Sequence, residues 1–449
     1  MSSTAMGALD VVYPPGTEDS RKDAARIVTE LATRLSDPAA VLAITTAPDN
    51  LEQVPGEPPR SPWGRAGLGE GNAAVAMLFA ELGHIDTRHR THAHAHLSAA
   101  AAGVGSFAEE GLFYGAPAVA FAARMAQHTS TDYARLLHDL DQQVTARLNT
   151  RLTLENRRLD AGIPGADVRR YDVINGLTGY GRYLLLQAPQ HRRLLTDVLT
   201  YLVRLTKPVT AQGHTVPGWW LPRPPDSPDT PFPHGHFNLG LAHGIPGPLA
   251  LLALAKQRGI EVPGHDTAIN DIVEWTLAWR RHDDHWPTEI SFEQQIEPDT
   301  TTSLPDRTAW CYGTPGVARA LYLAGTALDR PDWRQTAVDS LIAVIDNPLH
   351  VHDQAICHGW AGLLHIAWRT ARDSGDPHLA ARLPRLASPI LAAYDDAHPL
   401  GFLHSSPYTD LAPHRAGLLD GAAGIALALH AYATNTSPAT PWDAALLLT

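Results

Sequence analysis

Apolar residues recur at helical spacing in seven segments of this chain, and each segment opens on a glycine. "GNAAVAMLFAEL" starts at Gly71, "GAPAVAFAARMA" at Gly115, "GLTGYGRYLLL" at Gly176 and "GIPGPLALLALA" at Gly244. "GTPGVARALYLAG" follows from Gly313, "GWAGLLHIAWRTA" from Gly359 and "GAAGIALALHAYA" from Gly421. The shared core is G-x-x-[GA] before an apolar run, with anchors roughly 45 to 70 residues apart, longer than most solenoid periods. Small residues in a first turn let helices approach closely, and the exposed N–H groups and positive dipole ends of those turns then face one side. Between anchors run second helical stretches such as "HRRLLTDVLTYLVRLT", "TAINDIVEWTLAWRRH" and "WRQTAVDSLIAVID". The pattern predicts an all-α fold: seven inner helices alternating with seven outer ones and closing into an α/α toroid, a single domain over residues 1–449. A linear helical solenoid is the competing arrangement.

Two kinds of segment break the pattern. Residues 207–237, "KPVTAQGHTVPGWWLPRPPDSPDTPFPHGHF", hold too many prolines for a long helix and read as a small inserted loop or β element. Residues 1–20 read as a tail, and "TNTSPATPWD" near the other end reads as a tail or cap.

The net charge of −12 excludes the basic footprint that nucleic-acid binding needs, and it suits a protein that attracts a basic peptide. No apolar run is long enough for a membrane helix, and the first residues lack the pattern of a signal peptide. Two cysteines make no disulfide framework. A cytoplasmic protein that is not an integral membrane protein is expected, with thiols reduced and free to bind metal.

If the seven anchors are equivalent, polar residues in or just before them share one pocket. Those positions hold Asp172 in "YDVINGLTG", His243 in "NLGLAHGIPG", Arg307 and Cys311 in "RTAWCYGTPG", Cys357 and His358 in "CHGWAG", and Asp420 in "GLLDGAAG". The first two repeats offer nothing comparable. Cys311, Cys357 and His358 form a soft donor set suited to Zn²⁺ with a fourth position open. Adjacent ligands at 357 and 358 cannot share a face of a regular strand, but they can in a turn that opens a helix. The bland readings are two cysteines packed as small hydrophobes, Asp172 as a helix cap, His243 as a structural histidine and Arg307 as a surface ion pair. Recurrence at one repeat position favours the functional readings. The tract His89, His92, His94 and His96 reads as solvated surface, because its two-residue steps spread the rings around a helix. His234 and His236 flank the insert and are weaker candidates for substrate contact.

"WCYGTPG", "CHGWAG", "NLGLAHGIPG" and "YDVINGLTGYGRYLL", in the chain positions they occupy, resemble the lanthipeptide synthetase component C family, the lantibiotic cyclases, in its stand-alone form. The resemblance runs from about Gly67 to the end of the chain. It implies a toroid whose small inserted subdomain helps to engage a peptide. It implies Zn²⁺ on Cys311, Cys357 and His358, an acid/base set of Asp172, His243 and Arg307, and Trp310 and Tyr312 lining the pocket. The implied reaction adds a peptide cysteine thiol to dehydroalanine or dehydrobutyrine in a dehydrated precursor peptide, closing a thioether ring. A dehydratase and a transporter are the implied further partners, which would bring the cyclase to the membrane periphery. Alternatives are intermolecular addition of glutathione to dehydroamino acids, and a non-catalytic scaffold that grips a peptide.

Overall fold

A computed structural model describes residues 17–52, 58–105, 111–165, 167–223, 231–298, 307–351, 353–404 and 413–449. Fourteen helices carry the architecture. In chain order they are α1 (Thr17–Arg34), α2 (Asn72–Leu82), α3 (His89–Ala101), α4 (Ala116–Met125), α5 (Ala134–Asp160), α6 (Leu177–Leu185) and α7 (Ala188–Leu205). Then come α8 (Pro246–Gln257), α9 (His265–Ala278), α10 (Thr314–Ala327), α11 (Pro331–Asp346), α12 (Trp360–Ser374), α13 (Leu383–Ala393) and α14 (Ala422–Thr434). Even-numbered helices follow the anchor glycines and form the inner ring. Each touches the next, and α14 returns to α2. Odd-numbered helices pack outside, and α1 lies against α14 and α13, so the first helix of the chain completes the last repeat. This is the closed helical toroid expected from the repeat.

The division into rings follows from residue type. Every residue of α2 is buried, as is nearly all of α4, α8 and α14, because these helices are apolar or small on all sides. Outer helices such as α5 and α7 bury one stripe only. The G-x-x-G signature has a steric cause. A Cβ on Gly316, Gly362 or Gly424 would collide with the carbonyl oxygen of Trp310, Ile356 or Leu418 in the turn before the same helix. Glycine thus lets that turn fold down onto the helix start.

The turns are joined to one another by backbone hydrogen bonds. Leu68 donates to Phe113, Phe113 to Ile174, Val173 to Ala242 and Ala242 to Cys311. Cys311 donates to Cys357, Cys357 to Leu419 and Leu419 to Gly69, which closes the circle. The N···O distances run from 2.9 to 3.3 Å, and every acceptor is the residue two before an anchor glycine.

Three segments differ from the sequence expectation. Helix α1 begins at Thr17, inside the stretch read as a tail; residues 1–16 lie outside the described residues. "TNTSPATPWD" is no tail. Glu81 accepts hydrogen bonds from the backbone N–H groups of Ala439 and Thr440, and Trp442 and Asp443 are fully buried. Residues 442–449 run inside the inner ring: Trp310 donates to the Leu446 carbonyl, Arg319 to that of Leu448 and Arg182 to that of Thr449. Asp443 meets His365 and Arg369 of α12. The inserted element also reaches further than its proline-rich stretch. Strands β1 (Val209–Ala211) and β2 (His214–Val216) form a hairpin, while β3 (His236–Asn238) pairs antiparallel with β4 (Glu289–Ser291), beyond α9. Residues 224–230 of the insert lie outside the described residues.

The histidine tract is also less solvated than expected. His89, His92 and His96 fall on one face of α3 and pack on Phe79, since steps of three and four bring side chains together on a helix. His96 is buried and bonded at both ring nitrogens, to Asn72 and to the Leu35 carbonyl.

Gly362→Ala is expected to lower stability. Overpacking costs about 1–3 kcal/mol, against about 1 kcal/mol gained in helix propensity, and a backbone carbonyl cannot swing aside. A net loss of about 1–2 kcal/mol in urea unfolding is the expected result; an unchanged midpoint would show that the close approach does not need glycine.

Candidate active site

The circle of turns sets side chains at fixed levels. Three residues before each anchor glycine stand Leu68, Leu112, Val173, Leu241, Trp310, Ile356 and Leu418, all apolar and buried. One residue before each anchor stand Glu70, Tyr114, Asn175, His243, Tyr312, His358 and Asp420, all polar and all half-buried. Charges from turns far apart in the chain meet near one of them: Glu70, Asp420, Cys357 and Asp172 all act on the Tyr114 phenol and, with burial as the larger cause, push its pKa up.

The structure brings Asp172 and His243 together. Asp172 ends the short helix Val168–Tyr171 and is fully buried. Its Oδ1 accepts from the N–H groups of Asn175 (2.8 Å) and Gly176 (2.6 Å), so it does cap the next turn. Its Oδ2 lies 2.7 Å from His243 Nδ1. That contact sets Nδ1–H toward the carboxylate and leaves Nε2 for the pocket. Burial opposes a charge on His243, but the hydrogen bond and charge of Asp172 outweigh it, and the pKa rises. The Tyr312 ring stands 6.1 Å from the His243 ring, and its hydroxyl accepts from Asn238 Nδ2 at 3.0 Å. Burial raises the Tyr312 phenol to about 12, so it stays a neutral hydrogen-bonding group.

The adjoining sector holds the donor set. Donor atoms of Cys311, Cys357 and His358 all lie within 4.8 Å of one another. Tetrahedral ligands at zinc bond lengths stand about 3.5–3.8 Å apart, so one ion fits with small adjustments. The two sulfurs meet because Cys311 and Cys357 hold the same position in successive repeats, with Cys311 N–H bonded to the Cys357 carbonyl. Without metal, contact with Cys357 and with His358 pulls the Cys311 thiol down to about 5, while the neighbouring sulfur pushes Cys357 well up. The pair therefore gives up one proton readily and holds the second. Burial disfavours the His358 imidazolium, yet Asp353 and Cys311 overcome it and raise its pKa to about 11.

Not every expected residue takes its expected place. Arg307 lies six residues before its anchor, on the rim; it is exposed, and among the described residues its guanidinium makes no hydrogen bond or ion pair. Its charge reaches Glu289 of β4, whose pKa is raised by burial and held back by Arg307. Trp310 does not line the pocket. It is a core residue 1% exposed, tilted against Phe113 and bonded to the Leu446 carbonyl, because it stands two positions from the pocket level. His234 and His236 are built into the insert, against Glu293 and Phe232. The first two repeats do contribute, through Glu70 and Tyr114. Glu70 and Asp420 both face Arg415, at 3.1 and 3.6 Å. A constant offset of one residue before the anchor would have found Glu70, Tyr114 and Asn175 in the sequence.

The helix starts add less positive potential than expected, since the turns use up their N–H groups. Asn72 donates to the Arg65 carbonyl, Gly179 to Asp172, Trp360 to Asp353 and Ala422 to Arg415.

Comparison with known proteins agrees with this fold. The profile of lanthionine synthetase C-like proteins matches residues 62–447. Nisin biosynthesis protein NisC of Lactococcus lactis subsp. lactis is 27% identical over 263 residues, 57% of this chain and 60% of that protein. The match thus spans less than two thirds of that relative's length. The solved structure of nisin cyclase superposes with a TM-score of 0.73 at 21% identity, covering 96% of this chain and 98% of that one.

The Asp172–His243 contact makes a prediction of its own. His243 should titrate above the ordinary histidine range by NMR, and Asp172→Asn should bring it down. A folded-state pKa above the unfolded value adds stability that is fully present below the unfolded pKa and is lost as pH rises through the folded one. Asp172→Asn should therefore remove stability on the acid side. An unmoved His243 titration in the variant would break the assigned contact.

Proposed function

The chain belongs to the lanthionine synthetase C-like family, and from that premise we propose that it is a zinc-dependent cyclase that forms lanthionine and methyllanthionine rings in a dehydrated precursor peptide. One observation carries this reading: the Cys311–Cys357–His358 donor set and the Asp172–His243 pair stand on adjoining turns of one closed ring. The Ala242 N–H bonds to the Cys311 carbonyl at 3.2 Å, and the charge of Cys311 acts on His243.

The reaction is an addition without redox change. A sulfur–carbon bond forms at the β-carbon of the dehydro residue, its double bond shifts to an enolate, and a proton then joins the α-carbon. An unperturbed thiol of pKa about 8.5 is mostly protonated at neutral pH. Cys311, Cys357 and His358 would hold Zn²⁺, which when bound lowers the pKa of a thiol that joins it, so that the sulfur reacts as thiolate. Because Cys311 and Cys357 would together balance the ion's charge, a substrate sulfur there would stay nucleophilic.

His243 supplies the α-carbon proton. Asp172 holds its Nδ1–H and raises its pKa, so Nε2–H is available near neutral pH as the acid. Tyr312, held by Asn238, fixes the position of the ring beside it. Arg307 at the rim pairs with the developing enolate oxygen once the peptide lies across the mouth. The inserted β element, on the side of Arg307 and Glu289, is the proposed place for the rest of the peptide. We place the protein in the cytoplasm, where a dehydratase delivers the peptide and a transporter removes it; among the described residues no helix is long and apolar enough to cross a membrane.

Elemental analysis of the purified protein should find about one zinc per chain. Cys311→Ala and Cys357→Ala should each lose zinc and ring formation together; full zinc in either variant would refute the ligand assignment. His243→Ala should keep zinc and lose ring formation by about 10²–10⁴-fold, read by mass spectrometry after thiol alkylation of a dehydrated peptide. Because the acid must be protonated, activity should fall as pH rises through the His243 pKa. Asp172→Asn should move that fall to lower pH, and an unshifted profile would remove His243 as the acid.

A further inference from the structure

We infer that Asp353 is a positioning residue of the donor set: it takes the proton on His358 Nε2 and thereby makes Nδ1 the nitrogen that binds metal. The inference rests on the zinc reading above and deepens it.

Asp353 stands six residues before Gly359, where five other repeats carry Arg65, Arg170, Asn238, Arg307 and Arg415. It is 3% exposed. Its position is fixed from two sides. Oδ1 accepts from Ala355 N–H at 2.9 Å, and its own carbonyl accepts from Trp360 N–H at 3.1 Å. A Cβ on Gly359 would collide with Asp353, so the anchor glycine is what admits the carboxylate here. Oδ2 is left for one partner, and His358 Nε2 lies 3.2 Å from it.

A buried carboxylate without a donor costs several kcal/mol or more, so Oδ2 needs a proton on Nε2. An imidazole that binds metal is neutral and carries its one proton on the other nitrogen. The two demands agree only if Nδ1 is the ligand. Nδ1 has no such carboxylate partner: its neighbour, Asp420 Oδ1, stands 3.7 Å away, beyond hydrogen-bond reach. Were Nε2 the ligand, Asp353 would face two thiolates with no proton between them. A carboxylate behind a ligating histidine locks ring orientation and makes the ligand nitrogen more basic, and its loss weakens metal binding by about 10–100-fold.

Asp353→Asn is the direct probe, because an amide offers one acceptor where the native site needs two. Zinc affinity is measured by competition with a chromophoric chelator, with folding checked by thermal melting. The variant should bind zinc about 10–100-fold more weakly. In a His358→Ala background the same substitution should change affinity little, because Asp353 acts through that ring. A folded Asp353→Asn protein of native affinity, or an equal loss without His358, would overturn the inference while leaving the zinc site in place. A wild type that binds no zinc would instead sink the zinc reading. NMR of the zinc-loaded wild type labelled with ¹⁵N-histidine decides the donor atom even if the variant does not fold. A proton on Nε2 and a metal-shifted Nδ1 are expected; the reverse tautomer refutes the assignment.

Discussion

The circle of seven backbone hydrogen bonds between the turns is the constraint on which the site depends. Each bond is worth only about 0.5–1.5 kcal/mol net, but together they force the turns into one register. Every acceptor is the same residue of its repeat, so side chains of one offset lie at one level. Apolar residues then face the barrel, and polar residues line the pocket. Because the bonds are backbone bonds, they survive changes of side chain, and chemistry can be installed one turn at a time. Two cysteines far apart in the chain meet for this reason: they occupy one position in successive repeats, joined through Cys311 N–H and the Cys357 carbonyl.

Electrostatics divides the pocket into two sectors. In one, a buried carboxylate holds a histidine ready to be charged, with a raised pKa. In the other, two neighbouring thiols are driven apart, Cys311 down and Cys357 up, beside a histidine whose positive charge is favoured by Asp353 and Cys311. Asp172 and Asp353 play parallel parts. Each is buried, each uses one oxygen on backbone N–H groups, and each turns the other toward a pocket histidine. Under the proposed function the histidine's remaining nitrogen would serve the reacting carbon in one case and the metal in the other. The end of the chain packs against the inner ring, its Leu446, Leu448 and Thr449 carbonyls accepting from Trp310, Arg319 and Arg182.

Much of this was legible from residue type alone. Glycine anchors and apolar runs specify inner helices, because only small residues let a turn fold onto a helix start. Paired cysteines before equivalent anchors, one followed by histidine, specify a soft donor set, since the repeat carries them to one end of the barrel. The Asp172 and His243 candidates came from the same argument, and the family resemblance assigned their roles.

What the sequence could not decide was the level at which each side chain stands. Trp310 and Arg307 lie near the same anchor as Cys311, yet one is core and the other rim, because the turn reverses direction within a few residues. Glu70, Tyr114 and Asn175 look ordinary in the sequence and become pocket residues once the hydrogen-bonded circle brings their turns together. "TNTSPATPWD" has the composition of a tail, yet it leads into the barrel because Glu81 holds its backbone N–H groups and the arginines hold the Leu448 and Thr449 carbonyls that follow it. Asp353 looks like any loop aspartate until burial and the Ala355 N–H leave its second oxygen facing His358. Residue types along the chain determined the fold and the kind of chemistry. Orientation and hydrogen-bond partnership, which depend on segments far apart in sequence, were decided only when the ring closed.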